Sequence, residues 1–319
     1  MIRSIFLGMA TVSVLSLAAC NREVDAPPTD EVSESGPPIA AAYSLFGKPL
    51  VAPQPSEDLL AKFAKYQQAS HDDPNNADKL IWYGRFAAYK GDYSGAIEIF
   101  TLGTEKFPND ARMLRHRGHR YISTRKFDEA IVDLERATEL VAGQANEIEP
   151  DGMPNARNIP VSTLHGNIWY HLGLAYYLNH DFENALRAYT ECLKTSTNPD
   201  NVVSATHWLY MINRRMGRDD DADTCLDRID PDMDIIENMN YHKCCLFYKG
   251  LMTLDELRAD AEDGPAGDSI DYAIGNWHFY NGEPEQARGQ FEKLSRDGNW
   301  ASFGFIAAES DLASGFDSK

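Results

Sequence analysis

The chain has 319 residues, with 49 acidic against 30 basic side chains, a formal charge of −19 and a pI near 4.8. That balance argues against general nucleic-acid binding and against adhesion to anionic lipid through charge. It also favours solubility, and the length is ample for one large core or two smaller ones.

Arg3 supplies a positive start, and Ile5 to Leu17 is an apolar run too short to span a bilayer comfortably. The run ends in Leu17-Ala18-Ala19-Cys20, which resembles the lipobox of bacterial lipoproteins. The resemblance implies a signal peptide over 1–19 and a lipid on Cys20. A plain secretory signal cut after a small residue would also tolerate Ala18-Ala19, but a Cys directly after them favours the lipoprotein. Asn21 stands where an Asp would signal inner-membrane retention in the enterobacterial pattern, so the expected address is the outer membrane, facing the periplasm. Residues 20–55 are rich in Pro, Ser, Glu and Asp and read as a disordered tether. About 35 residues of this kind would hold the folded part roughly 30–35 Å from the lipid.

Ser56 is placed to cap a helix over 57–70, with Leu59, Leu60, Phe63 and Tyr66 on one side. Residues 77–110 follow as a helical hairpin: Leu80, Tyr83, Gly84 and Ala87, a turn at Gly91-Asp92, then Ala96 and Phe100, closing at Pro108. Residues 111–143 repeat the pattern, and Pro74 to Pro108, Gly84 to Gly118 and Ala96 to Ala130 are each 34 apart. Gly118 to Gly173 is 55, so about 21 extra residues fall in an insert at 143–165, rich in Pro, Gly and Asn. Long loops in compact arrays are functional or mobile, and Met153, Ile159 and Val161 suggest an insert that packs back onto the array. A third hairpin covers 166–199. Beyond it the pattern weakens through 203–234 and 236–264, where Thr253-x-x-Glu256 reads as a capping box. It returns at 268–298, and Trp300 to Ala313 reads as a terminal helix over the core.

Within the third hairpin, Trp169, Leu172, Gly173 and Tyr176 are followed by Ala185 and Tyr189. The spacing W-x2-L-G-x2-Y, then A-x3-Y, resembles the tetratricopeptide repeat, a helix–turn–helix unit of 34 residues. The expected fold is therefore all-α: a right-handed α–α superhelix, a solenoid of about six helical hairpins with terminal capping helices, over 56–319.

In that family a second face of each first helix lines a concave groove that binds peptides. Carried onto this chain, the groove holds Arg85, Arg115, His119, Tyr170, Tyr177, His207, Arg214 and Asn276, with Arg112 and His116 beside it. Arg117 falls on the inward stripe and reads as structural. Family members that grip a C-terminal carboxylate use Lys, Arg and Asn here, and guanidinium groups hold carboxylates bidentately. The alternative is that the arginines pair with neighbouring acids and the tyrosines pack between repeats.

No phosphate loop, HExxH, GxSxG or other nucleophile motif is present, and no Cys/His spacing suits a metal. Asp219-Asp220-Asp221 reads as a helix start. Cys192, Cys225, Cys244 and Cys245 remain for an oxidising compartment, and no bridge is expected between the adjacent Cys244 and Cys245. The expectation is a non-catalytic envelope lipoprotein without cofactor, membrane-bound through its lipid. It would act as an assembly factor or adaptor binding a protein or peptide with acidic or C-terminal carboxylate features. The alternative is an enzyme or small-ligand receptor whose site is built by the insert.

Overall fold

The computed structural model describes residues 40–259 and 265–315. The signal peptide, Cys20 and the tether up to residue 39 lie outside them. The described part of the expected tether departs from expectation: residues 40–55 form an ordered segment. Its strands β1 (Ala42–Tyr43) and β2 (Pro49–Leu50) pair antiparallel. Ala42 and Leu50 are buried, so burial of two apolar positions orders a stretch whose composition reads as linker.

Helix α1 (Glu57–Asp72) is capped by Ser56, whose hydroxyl accepts from Leu59 N–H. It packs its Tyr66 ring on Phe86, centroids 4.7 Å apart. Three regular hairpins follow: α2 (Ala77–Tyr89) with α3 (Tyr93–Lys106), α4 (Ala111–Ser123) with α5 (Phe127–Val141), and α6 (Leu164–Leu178) with α7 (Phe182–Lys194). Next come α8 (Pro199–Arg215) with the short α9 (Asp219–Cys225), and α10 (Met239–Tyr248) with α11 (Leu254–Ala259). The last are α12 (Pro265–Tyr280), α13 (Pro284–Asp297) and α14 (Phe303–Ala313). The chain is thus an all-α right-handed superhelix.

Local chemistry explains these boundaries. Asn76, Asp110, Thr163 and Asn198 cap α2, α4, α6 and α8 with side-chain oxygens that accept backbone N–H groups. The Thr253–Glu256 box forms as its spacing predicts: Glu256 accepts from Thr253 N–H, and Thr253 Oγ1 accepts from Glu256 N–H. Arg117 bonds Asp133 at 2.7 Å and ties α4 to α5.

One contact recurs in four hairpins. A Cβ added to Gly84, Gly118, Gly173 or Gly275 would lie 2.4–2.8 Å from Phe100, Leu134, Tyr189 or Phe291, each 16 residues further on. Replacing Gly173 by Ala gains about 1 kcal/mol of helix propensity. The new methyl, however, meets the buried Tyr189 ring, which cannot swing away because it stacks on Trp208, 5.8 Å between centroids. Overpacking costs typically ~1–3 kcal/mol, so we expect Gly173→Ala to be the less stable by ~1–2 kcal/mol in urea unfolding.

After α9 the array curls inward. Helix α10 packs on α8, α12 packs on α8 and α10, and α14 packs on α6, α12 and α13. The first helices of the later hairpins therefore lie against the inner face of the middle ones. This curl decides which of the expected groove residues remain accessible.

Candidate functional site: a cleft roofed by the insert

Four of the eight expected groove residues do not line a groove. Tyr177 is 2 % exposed and its hydroxyl bonds Tyr272 and Asn276. Asn276 is fully buried and also accepts from Arg215 Nε at 2.5 Å. His207 is 1 % exposed, stacked between Tyr241 and Tyr248. Arg214 bonds Asp219, Tyr210 and Asn281. These expectations are corrected, and the reason is the curl: α10 and α12 cover the face of α8 that an open superhelix would leave exposed. The spacing rule still picks one face of each helix, but on the later hairpins that face meets protein.

The remaining four come together. Arg115, His119 and Tyr170 line a cavity of about 300 Å³ between α4, α6 and the insert. His119 also walls an adjoining cavity of about 410 Å³ that reaches Ser302 and Phe303 at the start of α14. Arg85 and Arg115 line a smaller one of about 140 Å³ under the insert. Neighbouring cavities share walls: His119, Tyr241 and Phe303 between the first two, and Arg115, Ser162 and Asn167 between the 300 and 140 Å³ ones. Together they form one cleft along the inner face of α4 and α6.

The insert is its roof. Ile148 bridges Thr163, and Glu149 N–H donates to Ser162 O at 3.0 Å, so the two ends of the insert run antiparallel. Val161 is buried, with its carbonyl held by the amides of Asn198 and Asn201, while Met153 and Ile159 are exposed. Asn155 bonds Glu237, and Arg157 pairs Asp234 at 2.7 Å, which fastens the roof to the loop after α9. That loop is itself held by the buried Asp200, whose carboxylate accepts from the N–H groups of Ile236, Glu237 and Asn238.

The electrostatics differ along the cleft. Glu149, almost buried, pairs Arg115 at 2.9 Å and His116 at 3.4 Å and accepts from Asn167. Arg115 Nε has no hydrogen-bond partner although it is buried. Arg85 bonds only neutral acceptors, Tyr89 Oη and Pro150 O, while stacking on Trp82. Arg120 lies over the Tyr93 ring, 5.2 Å from its centroid, and burial pulls its guanidinium down to about 10. Neither Arg85 nor Arg120 forms an ion pair among the described residues.

Burial, seconded by these arginines, drives His116, His119 and His171 well below the ordinary imidazole range. The Glu149 carboxylate near His116 does not reverse this. The middle of the cleft is therefore neutral imidazole, amide and aromatic surface, and its far end brings Arg85 and Arg115 together with Glu149, while Arg120 stacks on Tyr93 outside the lining. Sequence spacing did not reveal Glu149, Asn167, His171, Glu237, Tyr241 or Phe303 as walls. Only Glu149 carried a signal, as an acid in an insert between apolar turns.

Residues 166–198 match the tetratricopeptide repeat model. A solved tetratricopeptide repeat protein from Parabacteroides merdae is 14 % identical, over 79 % of this chain and 92 % of its own, with a TM-score of 0.50. Residues 166–198 are thus a tetratricopeptide repeat, and the chain around them has the fold of solved tetratricopeptide repeat arrays. YrrB, described as a tetratricopeptide repeat protein with an unusual peptide-binding site, is 15 % identical over 72 % of this chain and 91 % of its own, TM-score 0.42. MamA is 20 % identical over 53 % and 84 %, TM-score 0.42. No curated protein matches the sequence.

Cys192, Cys225, Cys244 and Cys245 are free thiols in this repeat array, and burial pushes Cys192 up to about 12. Among the described residues no group of three or more His, Cys, Asp and Glu side chains is arranged to hold a metal, and no helix is long and apolar enough to cross a membrane.

Proposed function

We propose that this repeat protein is a non-catalytic binding platform that takes the end of a peptide or protein partner in the cleft beneath the insert. The carrying observation is the arginine end of that cleft, where Arg85 stacks on Trp82 without a carboxylate partner and Arg115 keeps a buried N–H unpaired. A ligand carboxylate would supply the missing acceptors as charge-assisted hydrogen bonds. Tyr170, Tyr241 and Phe303 offer apolar faces to a peptide at low entropy cost. The reading includes a lipid on Cys20 and an outer-membrane address facing the periplasm, where the protein serves as an assembly factor or adaptor.

The test is a library of short peptides with free or amidated C-termini, read by fluorescence polarisation. We expect binders to prefer the free carboxylate, and Arg85→Gln to weaken them by tenfold or more, about 1.4 kcal/mol. Equal affinity for acid and amide, unchanged in Arg85→Gln, would remove the carboxylate from the proposal.

A second reading, a small-ligand receptor, is favoured by the volumes of the two larger cavities, about 410 and 300 Å³, which fall at the small-ligand scale. Deleting 144–164 distinguishes the two. A receptor loses all binding with its helical circular dichroism intact, whereas a peptide platform keeps contacts along α4 and α6 and loses only part of its affinity.

A further inference from the structure

The segment 40–55 is unlike the rest of the molecule. It contains no acidic residue and one cation, Lys48, in a chain of net charge −19. Its hairpin has two faces because side chains alternate along a strand. Ala42 and Leu50, paired across the ladder, face inward and are buried. Tyr43 faces outward, 62 % exposed, and the turn and following residue add Leu45, Phe46 (53 %) and Val51, all exposed.

The hairpin is firmly mounted. Ser44 Oγ accepts from Phe46 and Lys48 N–H at 3.2 and 3.0 Å, and Gly47 supplies the left-handed turn at φ +74°. Leu45 N–H donates to Glu309 on α14, and Trp300 Nε1–H donates to Val51 O at 2.9 Å. An apolar tip held out by hydrogen bonds to Glu309 and Trp300 is not a collapsed fragment of core.

We infer that this hairpin is a membrane-contacting element that seats its Tyr43, Leu45 and Phe46 in the interfacial layer of a lipid bilayer. The inference rests on the lipid anchor proposed at Cys20. Nineteen residues, 21–39, separate that cysteine from the described chain, so even fully extended they reach no further than about 70 Å. The hairpin is the first described element after that span. An aromatic and aliphatic tip with a flanking lysine matches the headgroup boundary, where rings and ammonium groups each find their medium. Elsewhere the acidic surface is repelled by anionic lipid, so the hairpin sets which side of the repeat array faces the bilayer.

The experiment uses the full chain, reconstituted in phosphatidylethanolamine/phosphatidylglycerol vesicles carrying a photoactivatable phospholipid. Mass spectrometry then reads the sites of lipid attachment and the acyl mass on Cys20 in the same sample. Expected is labelling concentrated on 43–51, reduced about tenfold in Leu45→Ser/Phe46→Ser, since each side chain loses its transfer free energy. These residues are exposed, so the helical circular dichroism should not change. An acylated chain with 43–51 unlabelled overturns the hairpin inference alone. Crosslinks of 43–51 to a second copy or another protein in place of lipid overturn it as well. A chain without acyl mass on Cys20 overturns the anchor, and the hairpin's role falls with it.

Discussion

Glu309→Ala is expected to cost about 3–5 kcal/mol of stability, the largest loss from any single substitution considered for this protein. Glu309 is 1 % exposed and meets Arg125, whose side chain is 3 % exposed, at 2.7 Å. The guanidinium also donates to Ser123 O and Trp300 O. Removing the carboxylate leaves a cation stranded in a site that already works against its charge, since burial lowers the Arg125 pKa.

Arg125 holds a left-handed backbone, φ +63°, in the turn between α4 and α5. His180 does the same at φ +57° in the next hairpin, with its Nε2 3.1 Å from Ser310 Oγ. Other turns of the array put glycine at such a position, for example Gly91 and Gly217. Two non-glycine residues tolerate this conformation where their side chains fasten α14 to the inner face. The measurement is a double-mutant cycle in urea with Arg125→Met and Glu309→Met, the unfolding midpoint and slope read for each. We expect the double variant to be more stable than the sum of the single losses, because no buried charge remains unpaired. Additive losses would mean that the pair is not coupled. Glu309→Ala should also speed proteolysis within 42–50, since Leu45 N–H loses its acceptor.

Acid should destabilise the protein well before its carboxylates titrate. His116, His119 and His171 are held well below the ordinary imidazole range, and burial takes His207 down to about 3. The unfolded chain binds protons at these sites near pH 6.5, whereas the native chain does not. Stability is therefore present above about pH 6.5 and is lost progressively as pH falls towards the folded values. Each histidine contributes up to about 1.4 kcal/mol per pH unit, so four together remove as much as about 5 kcal/mol between pH 7 and pH 5.5. Urea midpoints at the two pH values measure this. His207→Phe keeps a ring between Tyr241 and Tyr248 and should flatten the dependence by roughly a quarter. A flat profile in the parent protein would show that these imidazoles titrate alike in the native and unfolded chains.

Much of the architecture was legible in the chain because it is written in short-range chemistry. A 34-residue period places Gly84 and Gly118 opposite Phe100 and Leu134, and that contact needs only two neighbouring helices. Caps at Ser56 and Thr253 act within four residues of themselves. The helix face was legible throughout, but not which part of it stays open. Arg85, Arg115, His119 and Tyr170 lie on the cleft, whereas Tyr177, His207 and Asn276 carry the same helical spacing and are core. Spacing tells which residues share a face, not whether a later helix will cover that face.

What the sequence alone determined, then, is the hairpin, its period and its turns, because each is set by side chains a few residues apart along one or two helices. The closure belonged to the tertiary structure. Glu309 and Asp311 on the last helix are buried against Arg125 and Arg215, nearly two hundred and one hundred residues earlier in the chain. The roof over the cleft likewise depends on Glu149 finding Arg115 and Asn155 finding Glu237. Such pairs leave no periodic trace, since long-range electrostatic partners are chosen by the curl of the whole array and not by the local conformation of either residue.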